Sequence, residues 1–229
     1  MPGGSKEQTL INLHDVRKTF ITSGGTFEAL KGITLTINKG DFVSVIGKSG
    51  SGKSTLLNMI AGIDKPTSGE IFVGEKAIHS MNENQLSKWR GINVGVVFQF
   101  FQLLPTLSVI ENVMLPMDFC NTCHPSLRKE RAFSLLKQVG IEDQAYKLPA
   151  SLSGGQQQRA AIARALANDP SIILADEPTG NLDSTTANDV FSIFYDLVRT
   201  GKTLIIVTHD RDFAGRCSRT LKLTDGRIV

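Results

Sequence analysis

The chain has 229 residues, 41% of them hydrophobic and 21% charged, and a net charge of +3 from 25 basic and 22 acidic side chains. That length suits one α/β domain carrying an insertion, and the composition is that of a chain able to bury a core. The basic excess is spread thinly, which leaves no nucleic-acid footprint, and the longest apolar runs are strand-length, far short of the roughly 20 residues that a membrane-crossing helix needs.

Met1–Gln8 reads as a polar lead-in without the apolar core of a signal peptide, and three cysteines make no disulfide framework, so a reducing compartment, the cytosol, is expected. Apolar and polar residues alternate over Thr9–Phe20 and Ala29–Ile37 around a Gly24-Gly25 break, which predicts antiparallel strands joined by a turn. Phe42–Ile46 is a buried strand running into a glycine-rich loop, and Thr55–Ala61 continues as a helix. Glu70–Val73 predicts a strand, Asn82–Trp89 a helix and Val94–Phe98 another buried strand.

Between Gln99 and Leu152 the spacing turns helical, with Pro105, Pro116 and Pro125 as punctuation. Within it, Cys120-Asn121-Thr122-Cys123-His124 matches the string used for c-type haem attachment. With no export signal, and with neither Cys217 nor His79 spaced to complete a zinc site, it reads as a pair of reduced thiols near a helix end. The chain then alternates helix (Gln156–Ala167), strand (Ile172–Ala175), helix (Thr185–Arg199) and strand (Leu204–Val207), which predicts a parallel sheet covered on both faces.

Two segments carry chemistry on their own. Gly47, Lys48, Ser49, Gly50, Ser51, Gly52, Lys53 and Ser54 fit G-x-x-x-x-G-K-S between a strand and a helix. Glycines let successive N–H groups point at a β-phosphate, the helix N-terminus adds its positive end, Lys53 reaches the β and γ oxygens, and Ser54, beside Thr55, offers a hydroxyl to Mg²⁺. The strand Ile172–Ala175 delivers Asp176 and Glu177 at the sheet edge where α/β ligands sit. Beside a phosphate loop, that pair divides into a residue for the Mg²⁺ shell, Asp176, and one that polarises attacking water, Glu177.

Leu152-Ser153-Gly154-Gly155-Gln156, followed by Gln157-Gln158-Arg159, resembles the signature of the ABC ATPases. The resemblance runs over almost the whole chain, in the family's order: Phe20, Gly47–Thr55, Gln99, Leu152–Gln156, Ile172–Glu177, Asn181–Asp183 and His209. It implies a P-loop NTPase core of RecA-like type with an N-terminal antiparallel β-subdomain and an inserted α-helical signature subdomain. Residues 1–229 would form one ABC ATPase domain, with 1–98 and 156–229 as β-subdomain and core and 99–155 as the insertion. The implied cofactors are ATP and Mg²⁺.

The same resemblance assigns roles. Phe20 stacks on adenine where the family usually has tyrosine, with Phe27 as the alternative. Gln99, with Gln102 as runner-up, senses Mg²⁺ and water, and His209 contacts the γ-phosphate. Ser153, Gly154, Gly155 and Gln156 of one subunit close over the nucleotide held by the other, and Asp183 bridges the subunits. The partners implied are a second copy of the chain and an integral membrane permease, at the cytoplasmic face of the inner membrane and without nucleic acid.

Phe98–Pro105 with Glu111-Asn112-Val113, and Asp176–Asp183, look most like the branch of lipoprotein-release, macrolide-export, antimicrobial-peptide-resistance and cell-division ATPases (LolD and MacB types). The apolar set Phe100, Phe101, Leu103 and Leu104 beside Gln99 is then expected to receive a cytoplasmic helix of the permease. The alternative, a soluble ABC-type ATPase acting on nucleic acid or the ribosome, would call for a long coiled-coil insertion or a second cassette.

Overall fold

The computed structural model describes residues 8–229, so the lead-in read over residues 1–8 lies outside the described residues except for Gln8. The chain opens with a hairpin of β1 (Thr9–Thr22) and β2 (Gly25–Asn38), turning at Ser23-Gly24, one residue before the predicted break. β4 (Ser68–Val73) pairs with the other side of β1 and β5 (Lys76–Ala77) with β4, giving an antiparallel sheet in the order β2-β1-β4-β5. The register of β1 slips between Leu13 and Val16, where Asp15 has φ 44°, a bulge that bends the sheet across the core beneath it.

The second sheet has the order β10-β9-β3-β8-β7-β6. β3 (Phe42–Ile46), β6 (Val94–Val97), β7 (Ile172–Asp176), β8 (Thr203–Val207) and β9 (Arg219–Thr224) run parallel, and β10 (Arg227–Ile228) folds back on β9. β9 and β10 carry only a faint signal: Leu221 and Leu223 alternate with exposed residues before Asp225-Gly226, whose φ values of 46° and 78° make a hairpin turn.

Because side chains alternate along a strand, each core strand feeds two cores. Ile172, Leu174, Ile205 and Val207 join Val43 and Val45 in a cluster with Leu56, Met59 and Ile60 of α1 (Lys53–Ala61), roofed by Ile11, Leu13 and Ile33 of the antiparallel sheet. Ile173, Ala175, Leu204 and Ile206 point the other way, to a cluster shared with α3 (Val109–Cys120), α4 (Pro125–Gln138), α5 (Gly154–Ala165) and α6 (Ser184–Arg199). Among the described residues α2 (Glu83–Asn93) and the short α7 (Arg211–Gly215) complete the set of α-helices. Among the described residues no helix is long and apolar enough to cross a membrane.

Pro116 does not end a helix as the sequence suggests; it lies inside α3. A proline there forgoes one backbone bond, but Val109, Ile110, Val113 and Met117 are buried along the helix, and Ser108 and Glu111 form a reciprocal cap at its start. Tertiary packing outweighs local propensity. The loop before α3 is pinned by the fully buried Asn112, whose Oδ1 accepts from the Leu104 N–H (2.7 Å) and whose Nδ2 lies 3.0–3.1 Å from the carbonyls of Leu104, Leu107 and Ser108.

Candidate active site

The loop Gly47–Ser54 leaves β3 at its C-terminal end and enters α1, whose first turn has neither a side-chain cap nor an acidic residue. Its first N–H groups are thus left for an anion. Gly50 and Gly52 have φ of 77° and 102°, and a Cβ on Gly52 would lie 2.5 Å from the Ala29 carbonyl oxygen of β2. A Cβ on Gly47 would lie 2.3 Å from the Leu223 carbonyl oxygen of β9, so the loop is held flush between two strands. The Ser51 Oγ is buried without a hydrogen-bond partner among the described residues. Lys53 folds back, its Nζ donating to the carbonyls of Gly47 (3.0 Å) and Lys48 (3.1 Å).

Across from this loop β7 ends at Asp176, and Glu177 takes φ 47° while its N–H donates to the Val207 carbonyl (2.9 Å). The pairing with β8 thus continues one residue past the strand and fixes where Glu177 turns. The Glu177 Oε2 lies 2.8 Å from His209 Nδ1 and accepts the His209 backbone N–H at 3.3 Å. Only 16% of the Glu177 side chain is exposed, against 71% of His209. Gln99, two residues past β6, accepts from Asn181 Nδ2 through its carbonyl (3.3 Å) and sets its Nε2 3.1 Å from where a Cβ on Gly180 would stand.

Of the residues singled out in the sequence, Gly47, Ser49, Gly50, Gly52, Lys53, Ser54, Thr55, Gln99, Asp176, Glu177 and His209 line one cleft of about 510 Å³. The ends of β3, β6, β7 and β8 bring them together. Phe27 also lines it, as does Ala29, which no sequence signal marked. Phe20 does not; it pairs with Phe27 across the hairpin, and Lys18 Nζ sits 5.0 Å from its ring centroid while bonding Asp64 Oδ1 (2.7 Å).

The signature is elsewhere. Ser153 caps α5, its Oγ accepting from Gln156 N–H (3.3 Å) while Gln156 Oε1 accepts from Ser153 N–H (3.0 Å), so Gly154 and Gly155 form the first turn of the helix, which begins two residues earlier than its apolar spacing suggests. Asp183 caps α6, accepting from Thr185 N–H, Thr186 N–H and Thr186 Oγ1 (2.6 Å). The Thr186 hydroxyl, ahead of the backbone donors, holds its carboxyl below the usual carboxylate range. Since the folded value is depressed, the cap is fully present above the ordinary carboxylate pKa and is lost as pH falls through the lowered one. None of Ser153, Gly154, Gly155, Gln156 and Asp183 lines the cleft.

The two capped helix ends touch: a Cβ on Gly155 would lie 2.3 Å from Thr186 Cγ2. Gly155→Ala is expected to cost roughly 1–3 kcal/mol by overpacking, and Thr186→Ser, which removes that methyl, should recover most of the loss. A double-mutant cycle by chemical denaturation measures this, and strictly additive effects would show that the contact is not the cause.

The ABC transporter family model matches residues 30–180. The lipoprotein-releasing system ATP-binding protein LolD of Aquifex aeolicus (strain VF5) is 47% identical over 203 residues, 89% of this chain and 90% of that protein. The macrolide export ATP-binding/permease protein MacB of Hyphomonas neptunium (strain ATCC 15444) is 40% identical over 220 residues, 96% of this chain but 34% of that larger protein. Among solved structures, the dimeric post-hydrolysis state of the ATP-binding cassette MJ0796 bound to ADP and Pi matches with a TM-score of 0.89 and 43% identity, over 96% of both chains. This chain belongs to the ABC transporter family, as an ATP-binding and ATP-hydrolysing cassette.

Proposed function

We propose that the chain binds Mg-ATP in the 510 Å³ cleft and hydrolyses it as half of a head-to-tail dimer that powers a membrane permease of the LolD and MacB type. One observation carries the reading. The cleft holds the phosphate loop, the acidic pair and His209, yet the second anion-binding helix end, Ser153–Gln156, lies outside it. A second copy placed head to tail supplies that end to the open side of the nucleotide.

In this reading Lys53 leaves the Gly47 and Lys48 carbonyls for the β and γ oxygens of ATP, and Gly47–Thr55 supply N–H donors to them. Phe20 stacks on adenine, or Phe27, which already lines the cleft. Ser54, Asp176 and Gln99 are all-oxygen ligands that suit a small hard cation, and they line the cleft together. These residues would hold Mg²⁺, which would supply positive charge to offset that of the bound phosphates. Glu177 accepts a proton from the attacking water, and His209, already on its Oε2, orients it and meets the γ-phosphate. Ser153 gives its hydroxyl to the γ-phosphate across the interface and Asp183 bridges the two copies. Residues 99–155 act as the helical insertion.

The relatives named above favour the permease-linked reading over a nucleic-acid one, and it puts the chain at the cytoplasmic face of the membrane. Phe100 is 71% and Leu104 47% exposed beside Gln99, which supports a docking role for them. Phe101 and Leu103 turn inward, the first toward Gly154 and the second onto the core. Phe100→Glu is expected to prevent assembly with the permease; unchanged assembly would remove the docking role.

The test of the dimer is molar mass by light scattering with Mg²⁺ and a non-hydrolysable ATP analogue. Wild type should become dimeric, whereas Ser153→Arg should stay monomeric while binding the analogue with unchanged affinity in its own cleft. A monomeric Ser153→Arg that no longer binds nucleotide would place the signature in the same chain's site and end the head-to-tail reading.

A further inference from the structure

Leaving β6, the chain passes through Phe101 and Gln102 with φ of 56° and 50°. Two consecutive non-glycine residues in the left-handed region are disfavoured by Cβ–carbonyl contacts, and such backbone persists only where its surroundings hold it. The holder is Arg164, near the C-terminal end of α5. Its Nη1 donates to the Gln102 carbonyl (2.5 Å) and its Nη2 to the Phe101 carbonyl (2.7 Å).

With both residues in the left-handed helical region their carbonyls are presented together to Arg164, and a planar guanidinium fork matches two such oxygens where an ammonium does not. The fork comes at a cost: burial lowers the Arg164 pKa, and among the described residues no ion pair with a carboxylate offsets it. A half-buried cation spent on two backbone oxygens is poor stabilisation and good positioning. Two residues upstream lies Gln99, wedged against the Glu177–Gly180 turn. On the outer side Arg164 and Gln102 also line a surface groove of about 290 Å³ with Phe98 and Pro116.

We infer that Arg164 is a positioning residue for ATP hydrolysis: its fork holds the Phe101-Gln102 turn, and the turn sets Gln99 against the catalytic cleft. This rests on the role for Gln99 proposed above. It ties the signature helix to the glutamine loop within one chain, so a displacement of α5 moves Gln99, and so does anything that seats in the groove and touches the fork.

The experiment is steady-state ATP turnover of the full chain for Gln99→Ala, Arg164→Met, Arg164→Lys and the double variant Gln99→Ala/Arg164→Met. Misplacement of a catalytic group at a distance costs turnover more than binding, so Gln99→Ala and Arg164→Met should each lower kcat by about tenfold or more with KM for ATP within about threefold. Arg164→Lys, which reaches one carbonyl at a time, should fall between wild type and Arg164→Met, and it carries the test if the Met variant does not fold. The double variant should be no slower than the worse single one, because both changes act through one side chain. Multiplicative losses in the double variant, or Arg164→Lys at the wild-type rate beside an impaired Gln99→Ala, would overturn the inference. Gln99→Ala turning over at the wild-type rate would instead remove the role of Gln99 itself.

Discussion

Glu177→Gln is expected to stop ATP turnover, lowering kcat by about 10²- to 10⁴-fold, the usual contribution of a positioned general base. The amide keeps the size and shape of the side chain and still accepts the His209 backbone N–H, which reaches Oε2 at 3.3 Å in the parent. The left-handed turn at φ 47° and the bond from the Glu177 N–H to Val207 are main-chain features and survive as well. What is lost is a carboxylate able to take a proton from water. Nucleotide affinity should therefore stay within a few-fold, and the Mg-ATP dimer should accumulate instead of turning over. Turnover at the wild-type rate in single-turnover quench-flow would remove Glu177 from the chemistry.

Gly52→Ala should be strongly damaging to the phosphate loop, and comparison with Gly50→Ala separates the reasons. Both glycines have positive φ, 77° at Gly50 and 102° at Gly52, so alanine at either costs roughly 1–2 kcal/mol of backbone strain. A Cβ on Gly50 meets nothing within 4 Å, whereas one on Gly52 lands 2.5 Å from the Ala29 carbonyl oxygen and 3.1 Å from Leu30 Cδ2. The oxygen belongs to a paired strand and cannot yield as a side-chain tip would. Overpacking adds roughly 1–3 kcal/mol, for a total of about 2–5 kcal/mol, or a fall in Tm of about 5–20 °C for a chain this size. The loop displaced by that clash presents its N–H groups in the wrong places, so ATP affinity should fall with it. Equal melting temperatures for the two variants would refute the steric part.

The phosphate loop and the acidic strand end were legible because their chemistry is local: a glycine pattern bounded by a strand and a helix, and carboxylates after an apolar run. Ile172–Ala175 and Leu204–Val207 were equally plain, since strands buried on both faces must be apolar throughout. The last hairpin was not, because β9 sits beside β3 with only Leu221 and Leu223 inward and its remaining residues exposed. Pro116 misled because the burial of α3 is tertiary information. The family's order put Phe20 ahead of Phe27, but the two are cross-strand partners, and only the path of the hairpin puts Phe27 on the cleft. Arg164 left no trace, since it acts on the backbone oxygens of two left-handed residues that no residue type announces.

If a working site takes its phosphate loop from one copy and its signature from another, variants that spoil different halves should complement each other. Two inactive variants are mixed to see this: Lys53→Ala, which spoils the loop, with Ser153→Ala, which removes the signature hydroxyl without placing a bulky side chain at the interface. In a mixed head-to-tail pair both defects fall on one site and the other is intact, so ATP turnover should reappear on mixing and peak near equal amounts. Turnover that stays at the sum of the two inactive variants at every ratio would contradict a shared site.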